Sequence, residues 1–244
     1  MVILSSLFSY DETTINTFVQ SLNQTGFAGK KFMVTYDSTK QVKEFLAKNG
    51  WVVVESDLND IPIVCKRFDD FSKIIEESNF DEQILITDCR DVYFYINPEN
   101  IQNKDLYIAP DGLYPLKDHI WASKEMKNHY PSDYSSLEEK FHLCAGVFYG
   151  NKDKVLELCK KTYEYIFKSK LYDKNNTKKE TVADQMALNI VAYNNLNYKL
   201  DINNTVINMT ETFWDETITY FIYHQYDRVG NFLNKLSEKT NKLI

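Results

Sequence analysis

The run from Ile84 to Phe94 does most to limit what this chain can fold into. Ile84-Leu85-Ile86-Thr87 has the length and composition of a buried strand, yet it ends in Asp88-Cys89-Arg90-Asp91 and resumes at once with Val92-Tyr93-Phe94. Two carboxylates three residues apart are costly to bury inside a sheet without a compensating cation. At the carboxyl end of a central strand, where open α/β folds place their ligands, the same pair can share a hard divalent ion.

The segments around this run alternate in period. Val2–Phe8 reads as a strand, and Ile15, Phe18, Val19 and Leu22 then fall at helical spacing. Lys31–Tyr36 reads as a second strand, followed by a helix carrying Val42, Phe45 and Leu46 with Ser38 as its expected N-cap. Trp51–Val54 is a third strand, a helix follows around Phe68, Phe71 and Ile75, and Ile84–Thr87 is a fourth strand. Strands alternating with helices at this spacing predict an α/β fold with a mostly parallel sheet and helices on both faces.

After Asp91 the pattern loosens. Leu106–Ala109 and Leu143–Tyr149 read as strands, and a helix carrying Val155, Leu158, Cys159 and Ile166 follows the second of them. The stretch from Asp111 to Lys140 reads as irregular, with Pro115 and Pro131, and its Tyr114, Trp121, His129, Tyr130 and Tyr134 suggest an ordered lobe. Lys168–Lys179 reads as a lysine-rich surface loop, and Val182–Asn194 as a helix. Short strands near Val206 and at Ile218–Tyr223 lead to a closing helix with Val229, Phe232, Leu233 and Leu236. No internal repeat and no Pro/Gly linker divides the 244 residues, so a single domain is expected.

Composition excludes several classes. A net charge of −7 argues against a nucleic-acid binder, because phosphate backbones reward clustered Lys and Arg. No stretch approaches 18 uncharged apolar residues, so no membrane span is expected. Met1–Phe8 lacks the basic start of a signal peptide and is too short for one. Cys65, Cys89, Cys144 and Cys159 form no CxxC pair and read as buried thiols. A cytoplasmic location is the expectation.

Four groups of residues can carry chemistry. Asp88 and Asp91 flank Arg90, which pairs with either a phosphate or a neighbouring carboxylate. Cys144-Ala145-Gly146-Val147 puts Ala and Gly inside an apolar strand, which suits a close approach to the backbone or tight packing on a helix. Ala183-Asp184-Gln185 opens a helix, where Asp184 serves either a site or the helix dipole. His224 ends an apolar strand beside further polar residues, a position suited to a ligand.

In this order the four groups resemble the GT-A glycosyltransferases, over most of the chain. Thr87-Asp88-Cys89-Arg90-Asp91-Val92 is similar to the Asp-x-x-Asp-Val motif of the glycosyltransferase domain of procollagen lysyl hydroxylases and its viral and bacterial relatives. The resemblance implies a GT-A, Rossmann-like fold, with residues 1–110 as a nucleotide-binding half and 111–244 as an acceptor-side half. It implies Asp88, Asp91 and His224 as ligands of Mn2+ or Mg2+, with a UDP-sugar donor held through its diphosphate. Cys144-Ala145-Gly146 looks like the strand that lines the donor sugar in glycogenin-like enzymes, with Cys144 in place of Asn. Asp184 and Gln185 look like the element near the reacting carbon, with Asp184 as the catalytic residue. Ser5, Ser6, Phe8, Tyr36 and Asp37 are donor-binding candidates by position at the first two strand ends; Tyr36-Asp37 equally suits a turn before the next helix.

The expected function is metal-dependent transfer of a sugar to a glycan or other hydroxyl acceptor, with retention of configuration implied by the same resemblance. Two alternatives stand beside it. A nucleotidyltransferase making an NDP-sugar would carry a Gly-rich basic loop after the first strand, where this chain reads Ser5-Ser6-Leu7-Phe8-Ser9-Tyr10-Asp11. A non-catalytic carbohydrate- or protein-binding module would use the aromatic residues, 14% of the chain, but has no need of a diphosphate metal site.

Overall fold

The computed structural model of this protein describes residues 1–102, 105–168, 183–196, 206–209 and 219–241. Its main sheet has six strands: β1 (Val2–Phe8), β2 (Lys30–Tyr36), β3 (Val52–Glu55), β4 (Ile84–Thr87), β6 (Leu106–Pro115) and β7 (Phe141–Gly150). They lie in the order β3-β2-β1-β4-β7-β6. The first four are parallel, with Val2 opposite both Lys30 and Ile84, and β7 is antiparallel to β4 and β6. The result is an α/β fold with a mostly parallel mixed sheet, consistent with a Rossmann-like arrangement.

Alternation along the strands divides the core between two faces. Ile3, Leu7 and Met33 face α1 (Glu12–Gln24) and α2 (Lys40–Lys48), where Ile15, Phe18, Leu22 and Leu46 meet them. Val2, Leu4 and Val34 face the other way. There they meet Phe68 and Phe71 of α3 (Ile63–Glu77), Val155 and Leu158 of α6 (Lys152–Lys168), and Leu188 of α7 (Ala183–Asn195). All four residues of β4 are buried, because β1 and β7 flank it and both faces are covered.

The elements depart from the sequence reading at several points. Thr39, not Ser38, is the N-cap of α2, and its side chain accepts the Val42 N–H at 3.3 Å. Asp37 adopts a left-handed φ of 47°, which carries the chain one residue further before the helix can start. The stretch from 111 to 140 is not irregular. It extends β6 to Pro115 and forms α4 (Ile120–His129) and α5 (Pro131–Leu137). Ala122, Met126, Tyr130, Tyr134 and Leu137 pack there with Met186 and Ile190 of α7 as a small core of their own. The closing helix α8 (Phe232–Asn241) buries Phe232 and Leu236, whereas Leu233 is exposed and Val229 precedes the helix. Of the expected lysine-rich loop, Lys168 closes α6 and the remainder lies outside the described residues, as do Val182 and Ile218.

A second, three-stranded sheet was not foreseen. It joins β5 (Val92–Phe94), β9 (Ile222–His224) and β8 (Ile207–Met209) in that order. Its Phe94, Ile207 and Ile222 add to the α1 side of the core, and the Phe94 N–H donates to Ser21 Oγ of α1 at 3.1 Å. Among the described residues, no helix is long and apolar enough to cross a membrane.

Beside β2, Tyr36 is fully buried and its hydroxyl donates to Asp70 Oδ2 at 2.6 Å. Asp70 also accepts from Ser56 Oγ at 2.9 Å and Lys66 Nζ at 2.5 Å, which ties α3 to the β2 and β3 edge. Removing one partner of a buried ion pair leaves the other charge stranded. Asp70→Ala should therefore lower stability by about 3 kcal/mol in denaturant melts. Metal affinity in the cleft described next should not change, because these residues lie outside it.

Candidate metal centre and its cleft

The order of strands reverses at β1: β2 and β3 lie to one side of it and β4 to the other. A crevice forms at the carboxyl ends at such a switch point. Here it is a cleft of about 530 Å3 lined by Ser6, Phe8, Arg67, Asp88, Asp91, Asp184 and His224 among others.

Each acidic or imidazole group reaches the cleft through a different element. Asp88 follows β4 directly, and its N–H donates to Gly146 O of β7 at 2.7 Å, which continues the β4–β7 pairing past Thr87. Asp91 precedes β5, whose Val92 is paired with His224 of β9. Immediately after His224, Gln225 takes a left-handed φ of 60° and its N–H donates to Asp91 O at 2.7 Å. That turn stops β9 at the residue whose side chain the cleft needs. His224 Nε2 then lies 3.6 Å from Asp88 Oδ2 and 3.5 Å from Asp91 Oδ1.

These three groups can hold a metal ion: one ligand atom from each lies within 4.8 Å of the others. Neighbouring ligands at about 2.1–2.2 Å around an octahedral ion sit about 3 Å apart, and opposite ones about 4.3 Å. The observed spacings fall between these. Gly146 lets the two side chains approach the strand, because a Cβ there would lie 2.6 Å from Asp88 Oδ2 and collide with the His224 ring.

Two residues orient this centre. Arg67 of α3 is buried; its Nη1 donates to Asp88 Oδ1 and its Nη2 to Asp184 Oδ2 at 2.9 Å and Ala145 O at 3.2 Å. Burial alone would raise the Asp88 carboxyl, but the Arg67 guanidinium and His224 outweigh it and hold Asp88 well below the usual carboxylate range. Asp184 is shifted the other way: burial raises it above the usual range, with Arg67 opposing. Cys144 is the second. Burial pushes its thiol up, and its Sγ lies 3.6 Å from His224 Nδ1, which leaves Nε2 facing the two carboxylates. Fixing the far nitrogen of a ligating imidazole in this way selects its tautomer and orientation.

The other site candidates are distributed unevenly. Ser6, Phe8, Arg90, Gly146, Asp184 and Gln185 line the cleft. Ser5 does not: its side chain is buried and donates to Thr87 O at 2.7 Å, pinning β1 to β4. Tyr36 is committed to Asp70, and Asp37 lines a separate polar cleft with Lys43, Lys66 and Lys73. Arg90 pairs with Asp91 at 3.3 Å and Asp227 at 3.5 Å while remaining nearly half exposed. Arg67 and Arg228 were missed. Arg67 reads in sequence as one more charge on an amphipathic helix, although its place directly before the core residue Phe68 put it at the edge of the apolar face.

No model of a known protein family matches this chain, and no curated protein matches it significantly.

The geometry makes Gly146 the most sensitive position for an ion. Gly146→Ala should weaken Mn2+ binding at least tenfold in calorimetric titration and lower the melting temperature, because its Cβ displaces the buried His224 ring, and Asp91→Asn should abolish Mn2+ binding in this centre with a melting curve close to the parent's. Unchanged Mn2+ affinity in both variants would remove these residues from any metal site.

Proposed function

We propose that this protein is a metal-dependent glycosyltransferase that moves a sugar from a nucleotide donor, a UDP-sugar, to a hydroxyl acceptor, with Mn2+ or Mg2+ bound by Asp88, Asp91 and His224. The observation that carries the reading is the convergence of two carboxylates and an imidazole at the switch point of the sheet, in a cleft that also exposes cations. Two carboxylates and one imidazole suit Mn2+ or Mg2+ better than a thiolate-rich set would. Arg90 and Arg228 lie 3.3 and 4.0 Å from Asp91 Oδ2 with more than two-fifths of each side chain exposed, so both can turn to an anionic ligand. The bound ion would act as a Lewis acid on the departing diphosphate.

The chain's own residues divide the remaining work. Asp88, held ionised by Arg67, and Asp91 supply the negative charge that attracts the cation. Ser6 and Phe8 at the end of β1 offer a polar contact and an apolar face to the nucleoside. Gly146 keeps the wall of the cleft thin beside the donor sugar. Asp184 lines the same cleft, is raised by burial and is joined to Asp88 through Arg67, which supports assigning it to the reacting sugar or the acceptor hydroxyl. Retention of configuration is the form of the reaction that the sequence resemblance supports.

A nucleotidyltransferase fits less well. The turn after β1 has no glycine, and Asp11 already caps α1 by accepting the Thr14 N–H at 2.8 Å, so a carboxylate occupies the helix end that a phosphate would use.

Binding of UDP measured with and without Mn2+ tests the reading first. Metal-dependent affinity together with slow hydrolysis of one UDP- or GDP-sugar is the expected result; metal-independent binding with no hydrolysis of any donor would point to a non-catalytic module. Asp184→Asn then separates chemistry from binding. Its turnover should fall on the order of 10²-fold or more, with UDP affinity nearly unchanged. Near-normal turnover with lowered stability would assign Asp184 to a structural role, as the buried partner of Arg67 at the start of α7.

A further inference from the structure

A second group of metal-ligating side chains lies along β7. His142 precedes Gly146 by four residues there, and the β6–β7 register is irregular between Leu143 and Phe148. Around His142 gather Asp111 of β6 and His119, the residue before α4. Asp111 Oδ2 is 3.4 Å from His142 Nδ1 and 3.6 Å from His119 Nε2. Tetrahedral bonds of 2.0–2.1 Å to one ion would put ligand atoms about 3.3–3.4 Å apart, close to both distances. One ligand atom from each of the three residues lies within 4.8 Å of the others.

We infer that Asp111, His119 and His142 form a second metal site, separate from the Asp88–Asp91–His224 centre, for a divalent ion of the zinc class. Two imidazoles and one carboxylate are a tetrahedral set with one position left open, and imidazole nitrogens favour such an ion over Mg2+. A second observation points to a ligand. His142 is 1% exposed, and its buried Nδ1, although near Asp111, is not in hydrogen-bonding geometry with any neighbour. A buried imidazole nitrogen 3.4 Å from a carboxylate it does not hydrogen-bond leaves both atoms available to one ion.

The outer contacts accommodate the ion. His142 Nε2 lies 3.3 Å from Gln185 Nε2, so with Nδ1 on the metal and the ring proton on Nε2 the Gln185 amide must turn over for its oxygen to accept that proton. His119 Nδ1 accepts the Ala122 N–H at 3.3 Å in the metal-free chain, which places the ring proton on Nε2. Binding moves that proton to Nδ1 and gives up this long capping contact, a small loss beside the binding energy of a structural ion. In the metal-free chain the same Gln185 Nε2 donates to Asp111 Oδ2 at 3.1 Å, a contact that the turn releases to the ion, and Gln185 also lines the first cleft. An ion at the second site therefore reorients the residue next to Asp184.

The test uses metal alone, on the full chain prepared without a histidine tag. Zn2+ is titrated against a chromophoric chelator, and Co2+ is followed by its visible absorption, which is intense only for tetrahedral coordination. In Asp91→Asn, whose first centre is disabled, one equivalent of Zn2+ should remain and Co2+ should give the tetrahedral spectrum. Adding His119→Ala or Asp111→Asn to that background should weaken binding by on the order of 100-fold or more. His119 is partly exposed, so its variant keeps the test valid if His142→Ala fails to fold. No Zn2+ bound by Asp91→Asn, or one equivalent unaffected by both second substitutions, would overturn the site. Neither result depends on nucleotide binding, so it leaves the proposed transferase activity to its own test.

Discussion

One buried guanidinium organises this protein. Arg67 projects from α3 into the space where the sheet's carboxyl edge meets α7, and it donates to Asp88, Asp184 and the Ala145 carbonyl at once. The ion pair spans 117 residues of chain, from α3 to the first turn of α7. Two carboxylates are affordable in that interior only because a fixed cation lies between them. The same cation separates their chemistry: Asp88 is held ionised, whereas burial keeps Asp184 closer to taking up a proton. Substituting Lys would keep the charge and lose the fork that reaches both partners.

The second sheet has a comparable part in the geometry. A main sheet of this kind can present residues from its own strand ends, but a ligand from the far end of the chain must be carried in. Pairing of Val92 with His224 does this, because β5 begins one residue after Asp91. Asp91 and His224 are thus placed by one ladder, Asp88 and Gly146 by another, and the centre lies where the two ladders meet. Apolar contact of Phe94 and Ile222 with the α1 side of the core keeps the small sheet from sliding.

Much of the fold was legible because its elements obey their periods. The first four strands and their helices are either alternating or fully apolar, and β4 with its terminal carboxylates marked the site from sequence alone. Asp88, Asp91, His224, Gly146 and Asp184 do meet in one cleft. What remained hidden has physical causes. Pro115 and Pro131 read as breakers, yet Pro131 stands at the first position of α5, where a missing N–H costs nothing. Positions 122, 126, 130 and 134 share a four-residue spacing, but two of them are tyrosines, Tyr130 and Tyr134, which suggested an ordered lobe and not the helix core they form. Tyr36 ends its strand as a ligand contact would, but the face it takes is set by a hydrogen bond to Asp70, a partner no local pattern reveals. Arg67 and the Asp111–His119–His142 group depend on contacts between distant segments, which spacing along the chain does not encode.

The order of the strands also governs when the centre can exist. β4 finds its second neighbour only when β7 has formed, and His224 enters from beyond both, 80 residues after the Cys144 that steadies its ring. Such non-local closures come late in folding, since the loop entropy must be met before the contacts repay it. The parallel strands at the amino end can assemble while the centre is still open. An ion that needs Asp88, Asp91 and His224 together binds only the finished chain, and mass action then draws the last segments into place.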